Sequence, residues 1–122
     1  PLPWYATLPP ELANNVDVAF SRLSVPKTVR MGVTTKLIAL VSNVGPEPAS
    51  GDVTIKGVDS AGNVVGLYSQ GFTALEPGDN LRINYAWTAP TTATTVTWTG
   101  TVTAFGDYNP DNNVLTAVTL VK

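Results

Sequence analysis

The sequence predicts an all-β fold: an immunoglobulin-like Greek-key β-sandwich of about seven strands, preceded by an extended N-terminal arm. Three observations carry that prediction. Apolar side chains recur at every second residue through most of the chain, as on half-buried strands. Turn clusters of Gly, Pro, Asn and Asp recur at intervals of about 8–12 residues, the rhythm of a sandwich or barrel. No stretch sustains an apolar stripe at 3.6-residue spacing, so no substantial helix is expected.

Residues 1–15 (PLPWYATLPPELANN) hold four prolines and no alternation, and read as an extended arm. Leu2, Trp4, Tyr5 and Leu8 make it too apolar for a free linker. It is expected to lie back on the domain, residues 16–122, or to dock on a neighbouring domain or subunit. The first strand then places Val16, Val18 and Phe20 on one face, and Pro26 ends it or holds it at an edge. In VTTKLIALVSN, Val33, Thr35, Leu37, Ala39 and Val41 share one face. Thr34, Lys36, Ile38 and Leu40 share the other, and the Lys36 charge marks that second face as the wetter one. Asn43-Val44-Gly45-Pro46 is a turn cluster. Gly51 to Val58 gives a strand with Val53 and Ile55 aligned, and Asp59 to Asn63 a hairpin loop. Val64 to Phe72 form the next strand, weakened by Gly66 and Gly71. Glu76-Pro77-Gly78-Asp79 is a strong turn.

The clearest alternation follows: Leu81, Ile83, Tyr85 and Trp87 face one way, Arg82, Asn84 and Ala86 the other. Beyond the loop TAPTTATT, Val96, Trp98, Gly100, Val102 and Ala104 share a face, opposed by Thr95, Thr97, Thr99, Thr101 and Thr103. Gly106 to Asn112 form the last turn and Val114 to Val121 the last strand. At about 2 kcal/mol per large buried side chain, the inward set is the main stabilising contribution, with Trp87 and Trp98 foremost.

Composition removes several function classes. The 122 residues include no cysteine and no histidine, so disulfides, thiolate metal sites and the commonest general base are absent. Charged residues are 13% of the chain, and the seven Lys and Arg are scattered in sequence; nucleic acid, which needs clustered cations, is not an expected partner. No run of 18 apolar residues occurs, so no membrane span is expected, and no signal peptide is visible. An opening without methionine suits a processed product or a piece of something longer. A surface rich in hydroxyls and poor in Lys and Glu fits secreted and cell-surface β proteins.

Three segments, taken in order, carry a family resemblance. LIALVSNVGPEPASGDVTIKGVDSAGNVV has a strand ending in Asn43-x-Gly45 and a small-residue loop. LEPGDNLRINYAWTAP has a Pro-Gly turn before a strand ending in Trp87-Thr88. VTAFGDYNPDNNVLTAVTLV has the paired Asn112-Asn113 opening its last strand. The set resembles a CARDB-type domain, a fibronectin-III-like sandwich recurrent in prokaryotic surface and secreted proteins, over roughly residues 16–121. That resemblance implies an adhesive, spacer or accessory module and supplies no catalytic site.

The candidate chemistry is sparse. Asp107, Asn109, Asp111 and Asn113 alternate as Ca²⁺ ligands do, but an EF-hand needs Gly and Glu where Asn112 and Val118 stand. An Asx-rich turn is the plainer reading, and no cofactor is expected. The threonine ladder, Thr95 to Thr103, suits an exposed strand face; a polymer-binding or glycan-bearing plane is the alternative. Trp4, Tyr5, Tyr68 and Tyr108 are read in loops or the arm, where they cover the core's ends or stack on sugar rings. With no His or Cys and no obvious carboxylate pair to support catalysis, an enzyme is not expected. Ile38, Leu40, Leu115, Ala117 and Val121 are read as apolar positions facing away from the core. With Trp4, Tyr5 and Leu8 they are the candidate partner contacts.

The function expected is a non-catalytic structural or adhesive module of an extracellular protein or assembly, acting by protein packing or strand addition. The alternatives are a carbohydrate-binding module using loop aromatics, and an accessory sandwich cut from an enzyme.

Overall fold

The computed structural model describes residues 16–107 and 112–122. The arm and residues 108–111 lie outside the described residues. The chain forms two packed sheets. One has three strands: β1 (Val18–Ser24), β3 (Thr34–Asn43) and β6 (Asn80–Thr88), in the order β1-β3-β6. The other comprises β2 (Thr28–Val29), β4 (Ala49–Val58), β5 (Val64–Leu75), β7 (Thr94–Ala104) and β8 (Val114–Val121), in the order β2-β8-β7-β4-β5. All pairings are antiparallel except β2 with β8. This is an immunoglobulin-like sandwich, as the alternation predicts.

The eighth strand is β2, which has only two residues and so no legible alternation. Its position follows from Pro26. A proline cannot donate to a ladder, so β1 stops before it and the chain crosses to the second sheet. There Leu120 donates to the Lys27 carbonyl at 2.8 Å and Lys122 to the Val29 carbonyl at 3.0 Å.

Between the sheets the inward residues of β1, β3, β4, β6 and β7 are buried as their spacing predicts. Trp98 lies along one cross-strand row, Gly66–Gly57–Trp98–Ala117. A Cβ on Gly57 or Gly66 would sit 2.6 Å from the Trp98 ring, so both glycines leave room for the indole. Gly66 therefore marks close packing more than a weak strand. Gly100 leaves room in the same way for the Phe20 ring of the opposite sheet. Trp87 meets Trp98 edge to face, with centroids 4.9 Å apart and planes at 86°. Both buried indoles are satisfied: Trp87 Nε1 donates to the Val65 carbonyl (3.0 Å) and Trp98 Nε1 to Thr119 Oγ1 (3.1 Å).

Strand β8 corrects one expectation. Leu115, Ala117 and Val121 face the core, not away from it, and Val121 is 0% exposed. The outward residues are Val114, Thr116, Val118 and Leu120. Both faces of this strand are equally apolar, so periodicity alone cannot orient it. The pairing of Trp98 with Ala117 and the need of its N–H for the Thr119 hydroxyl decide the face.

Asn43 organises one end of the sandwich. Its side chain is buried and its Nδ2 donates to the carbonyls of Glu47 (2.7 Å) and Leu75 (2.8 Å). Oδ1 accepts from the Gly45 amide at 3.0 Å. Its backbone exchanges bonds with the β5–β6 turn, donating to Asp79 O and accepting from Gly78 N. That turn is of type II: Asp79 N donates to Glu76 O, and Gly78 takes the positive φ of 82° that the turn requires.

Candidate functional site

The sandwich offers two outer faces, free strand edges and two ends. On the outer face of the three-stranded sheet, Leu40 lies opposite Arg22 on β1 and Arg82 on β6. Ile38 lies opposite Ser24 and Asn84, and Lys36 opposite Ala86. Ile38 and Leu40 point outward as the alternation predicts, but both are half-buried. Two long arginine stems beside Leu40 are the side chains suited to shield it while keeping their charges in water.

The outer face of the five-stranded sheet has the opposite character. Thr95, Thr97, Thr99, Thr101 and Thr103 run up β7. Thr99 pairs with Thr116 on β8, and Thr101 with Thr54 on β4. The ladder thus extends sideways by one residue in each direction, which the sequence did not reveal. Around it stand Val114, Val118 and Leu120, all exposed, with Val118 55% exposed. Among the strand residues pointing outward here, only Lys56 and Asp52 are charged.

The β5 edge is partly sealed. The Leu67 amide donates to the Tyr85 hydroxyl at 3.2 Å, and the Val65 carbonyl accepts from Trp87. Both partners belong to β6 in the opposite sheet. Tyr68 is not a loop residue: it lies in β5, half-buried and stacked on Tyr85 with centroids 5.3 Å apart. It falls inside the Val64–Phe72 strand expected from the sequence, so that strand stands and only the loop placement of this ring is corrected.

At the Asn43 end, Asp107 Oδ2 accepts from the Val18 amide at 3.0 Å. Asn112 Nδ2 donates to Asp17 Oδ1 at 2.9 Å. These bonds tie the β7–β8 connection to the start of β1, and are long-range bonds, unlike the local backbone bonds of an Asx turn. Asn109 and Asp111, the other Ca²⁺ candidates, lie outside the described residues, as do Trp4, Tyr5, Leu8 and Tyr108. Among the described residues, no three Asp or Glu side chains gather as a metal cage would require.

Nearby is a shallow hollow of about 120 Å³ lined by Gly51, Asp52, Thr103, Ala104 and Phe105. Phe105 is 83% exposed, and sequence reasoning passed it over. The available signal was an aromatic residue one step past the last inward position of β7, beside the Gly106 turn. The hollow has few polar groups and no titratable pair, so it can hold a flat apolar or sugar face but has no evident means of bond cleavage.

The sequence matches no family model and no curated relative. Solved structures do match. The CARDB domain of a Pyrococcus furiosus protein, in complex with di-metal ions, superposes with a TM-score of 0.69 at 20% identity, covering 88% of this chain and 89% of that one. A cycloisomaltooligosaccharide glucanotransferase from Paenibacillus sp., complexed with cycloisomaltoheptaose, gives a TM-score of 0.69 at 18% identity. A β-glucosidase from Listeria innocua in complex with glucose gives 0.56 at 9%. Each of the two enzymes is covered only in part: 88% of this chain corresponds to 14% of the glucanotransferase and 16% of the glucosidase. The strand order, the Asn43 hub and these superpositions agree: the chain has the fold of a CARDB domain.

Proposed function

We propose that the chain is a non-catalytic structural or adhesive module of an extracellular protein or assembly, working through the packing of its outer surfaces against other protein. The observation that carries this reading is the outer face of the five-stranded sheet. A sheet face turned to water is normally polar and charged. This one combines neutral hydroxyls with exposed Val114, Val118 and Leu120. Such a face desolvates at low cost, because few charges must leave water. Strand addition is a narrower route, since Tyr85 and Trp87 already occupy part of the β5 edge.

The likeness to short stretches of glycan-processing enzymes supports an accessory role beside catalytic domains. It also supports the second reading, a carbohydrate-binding module. Here the exposed Phe105 ring beside the Asp52 hollow is the specific observation in its favour.

A photoreactive residue at Val118, in the protein displayed in its native setting, tests the choice. Adducts to neighbouring protein are the expected result, with none from the same probe at Lys36. Adducts to polysaccharide alone, lost on Phe105→Ala, support the second reading. No adduct at Val118, or turnover traced to this polypeptide, overturns the first.

A further inference from the structure

Charges scattered along the sequence are sorted by the fold. Antiparallel strands send successive connections to alternate ends of the sandwich. The Asn43 end collects Asp17, Glu47, Glu76, Asp79 and Asp107, held together by bonds from Asn43, Val44 and Gly45 and by the Asp107–Val18 contact. Its connecting segments contain no Lys or Arg. The opposite end collects Lys27, Arg30 and Lys122. Leu120 donates to Lys27 O, Lys122 to Val29 O, and Met31 to Lys122 O, which draws these three into one corner. Asp59 is the acid at that end; its Oδ1 accepts from the amides of Ala61 and Asn63, as Asp17 and Asp107 accept bonds at the other end, and the three cations outnumber it.

Both ends also expose apolar side chains. Phe105 and Val44 stand out at the acidic end, Met31 and Val33 at the basic end. Each end therefore exposes apolar side chains and carries an excess of one charge, and the two excesses are opposite in sign. The described chain begins at Val16 on the acidic end and finishes at Lys122 on the basic end.

We infer that the partner of this module is a second copy of the same chain, docked head to tail with its acidic end on the basic end of its neighbour. The contact is at the two ends, apart from the outer sheet face that carries the packing role above, and so goes beyond that reading. Such a contact is heterologous: a dimer keeps one unused end of each sign, so association is open-ended and does not stop there.

Sedimentation equilibrium of the whole chain at low and high salt tests this. The screening length falls from about 30 Å at 0.01 M salt to about 3 Å at 1 M. The average mass is expected to climb continuously with concentration at low salt, with the association constant at least about tenfold lower at high salt. Lys27→Glu with Arg30→Glu, or Glu47→Lys with Glu76→Lys, should each abolish the climb. These positions serve the fold through backbone carbonyls or lie exposed in loops, so the domain should stay folded, as circular dichroism would verify. Mixing the two variants lets the unaltered acidic end of one meet the unaltered basic end of the other and should restore association.

A monomer at all concentrations in low salt, association indifferent to salt, or no recovery in the mixture each overturns the inference. Val118 adducts that persist in the charge-reversed variants would leave the packing role standing without it. Their absence in every variant removes the packing role as well.

Discussion

The two sheets stay soluble and packed by different means. The three-stranded sheet fills the core with bulk (Phe20, Leu37, Ile83 and Trp87) and keeps its outer face wet with Arg22, Lys36 and Arg82. The five-stranded sheet seats its own Trp98 over Gly57 and Gly66 and receives Phe20 at Gly100, while its outer face relies on threonine hydroxyls. A charged face resists burial, and a hydroxyl-bearing face tolerates it. Both inner surfaces shape the core, and the difference between the outer ones is what the proposed packing role rests on.

The most severe way to break this division is to empty the receiving side. Trp98→Ala should cost about 3–5 kcal/mol, because the glycine-lined slot cannot collapse around the loss. Urea unfolding followed by circular dichroism would report it. Filling the slot should cost less. Gly66→Ala puts a methyl group 2.6 Å from the Trp98 ring and 3.0 Å from Trp87 Nε1, and about 1–3 kcal/mol is expected for such overpacking. The same urea titration would show a lower midpoint with an unchanged slope.

Thr119→Val keeps the shape of the core and removes the acceptor for the Trp98 N–H, at an expected cost of about 1–3 kcal/mol. Thr119→Ser should recover most of it, which separates the hydrogen bond from packing. The outer faces supply the smallest and sharpest contrast. Arg82→Ala exposes more of Leu40 and should lower stability measurably, by about 0.5 kcal/mol or more. Val118→Thr on the opposite face should change stability by less than about 0.5 kcal/mol. Differential scanning calorimetry of the pair checks the order; equal losses would mean that the two faces do not differ as described.

Much of the architecture was legible because period two is hard to disguise. Strand β7 reads directly, with threonine on every outward position and Val96, Trp98 and Val102 inward. Its neighbour β8 does not, because Val-Leu-Thr-Ala-Val-Thr-Leu-Val is as apolar on one face as on the other. Only a long-range hydrogen bond from Trp98 orients it. Tyr68 was placed in a loop although it falls in the Val64–Phe72 run; of the two glycines that weaken that run, Gly66 makes room for Trp98. The candidate surfaces were less legible still. Ile38 and Leu40 were visible as apolar, but their arginine neighbours come from β1 and β6. The two charged ends are invisible in linear order, because the acidic one gathers residues from four separate segments and the basic one joins the chain around β2 to Lys122. Parity of the connections reveals them only after the strand order is known.

The Asn43 carboxamide has a consequence for how the molecule comes apart. One buried side chain bonds the β3–β4 loop at Gly45 and Glu47 and the end of β5 at Leu75, while its own backbone holds the β5–β6 turn. These connections cannot fray one at a time, because releasing any of them leaves a buried amide without a partner. That end opens as a cooperative unit, so its backbone protons should exchange with solvent together and slowly. A surface built from five acidic loop residues thereby keeps a fixed shape despite its mutual repulsion.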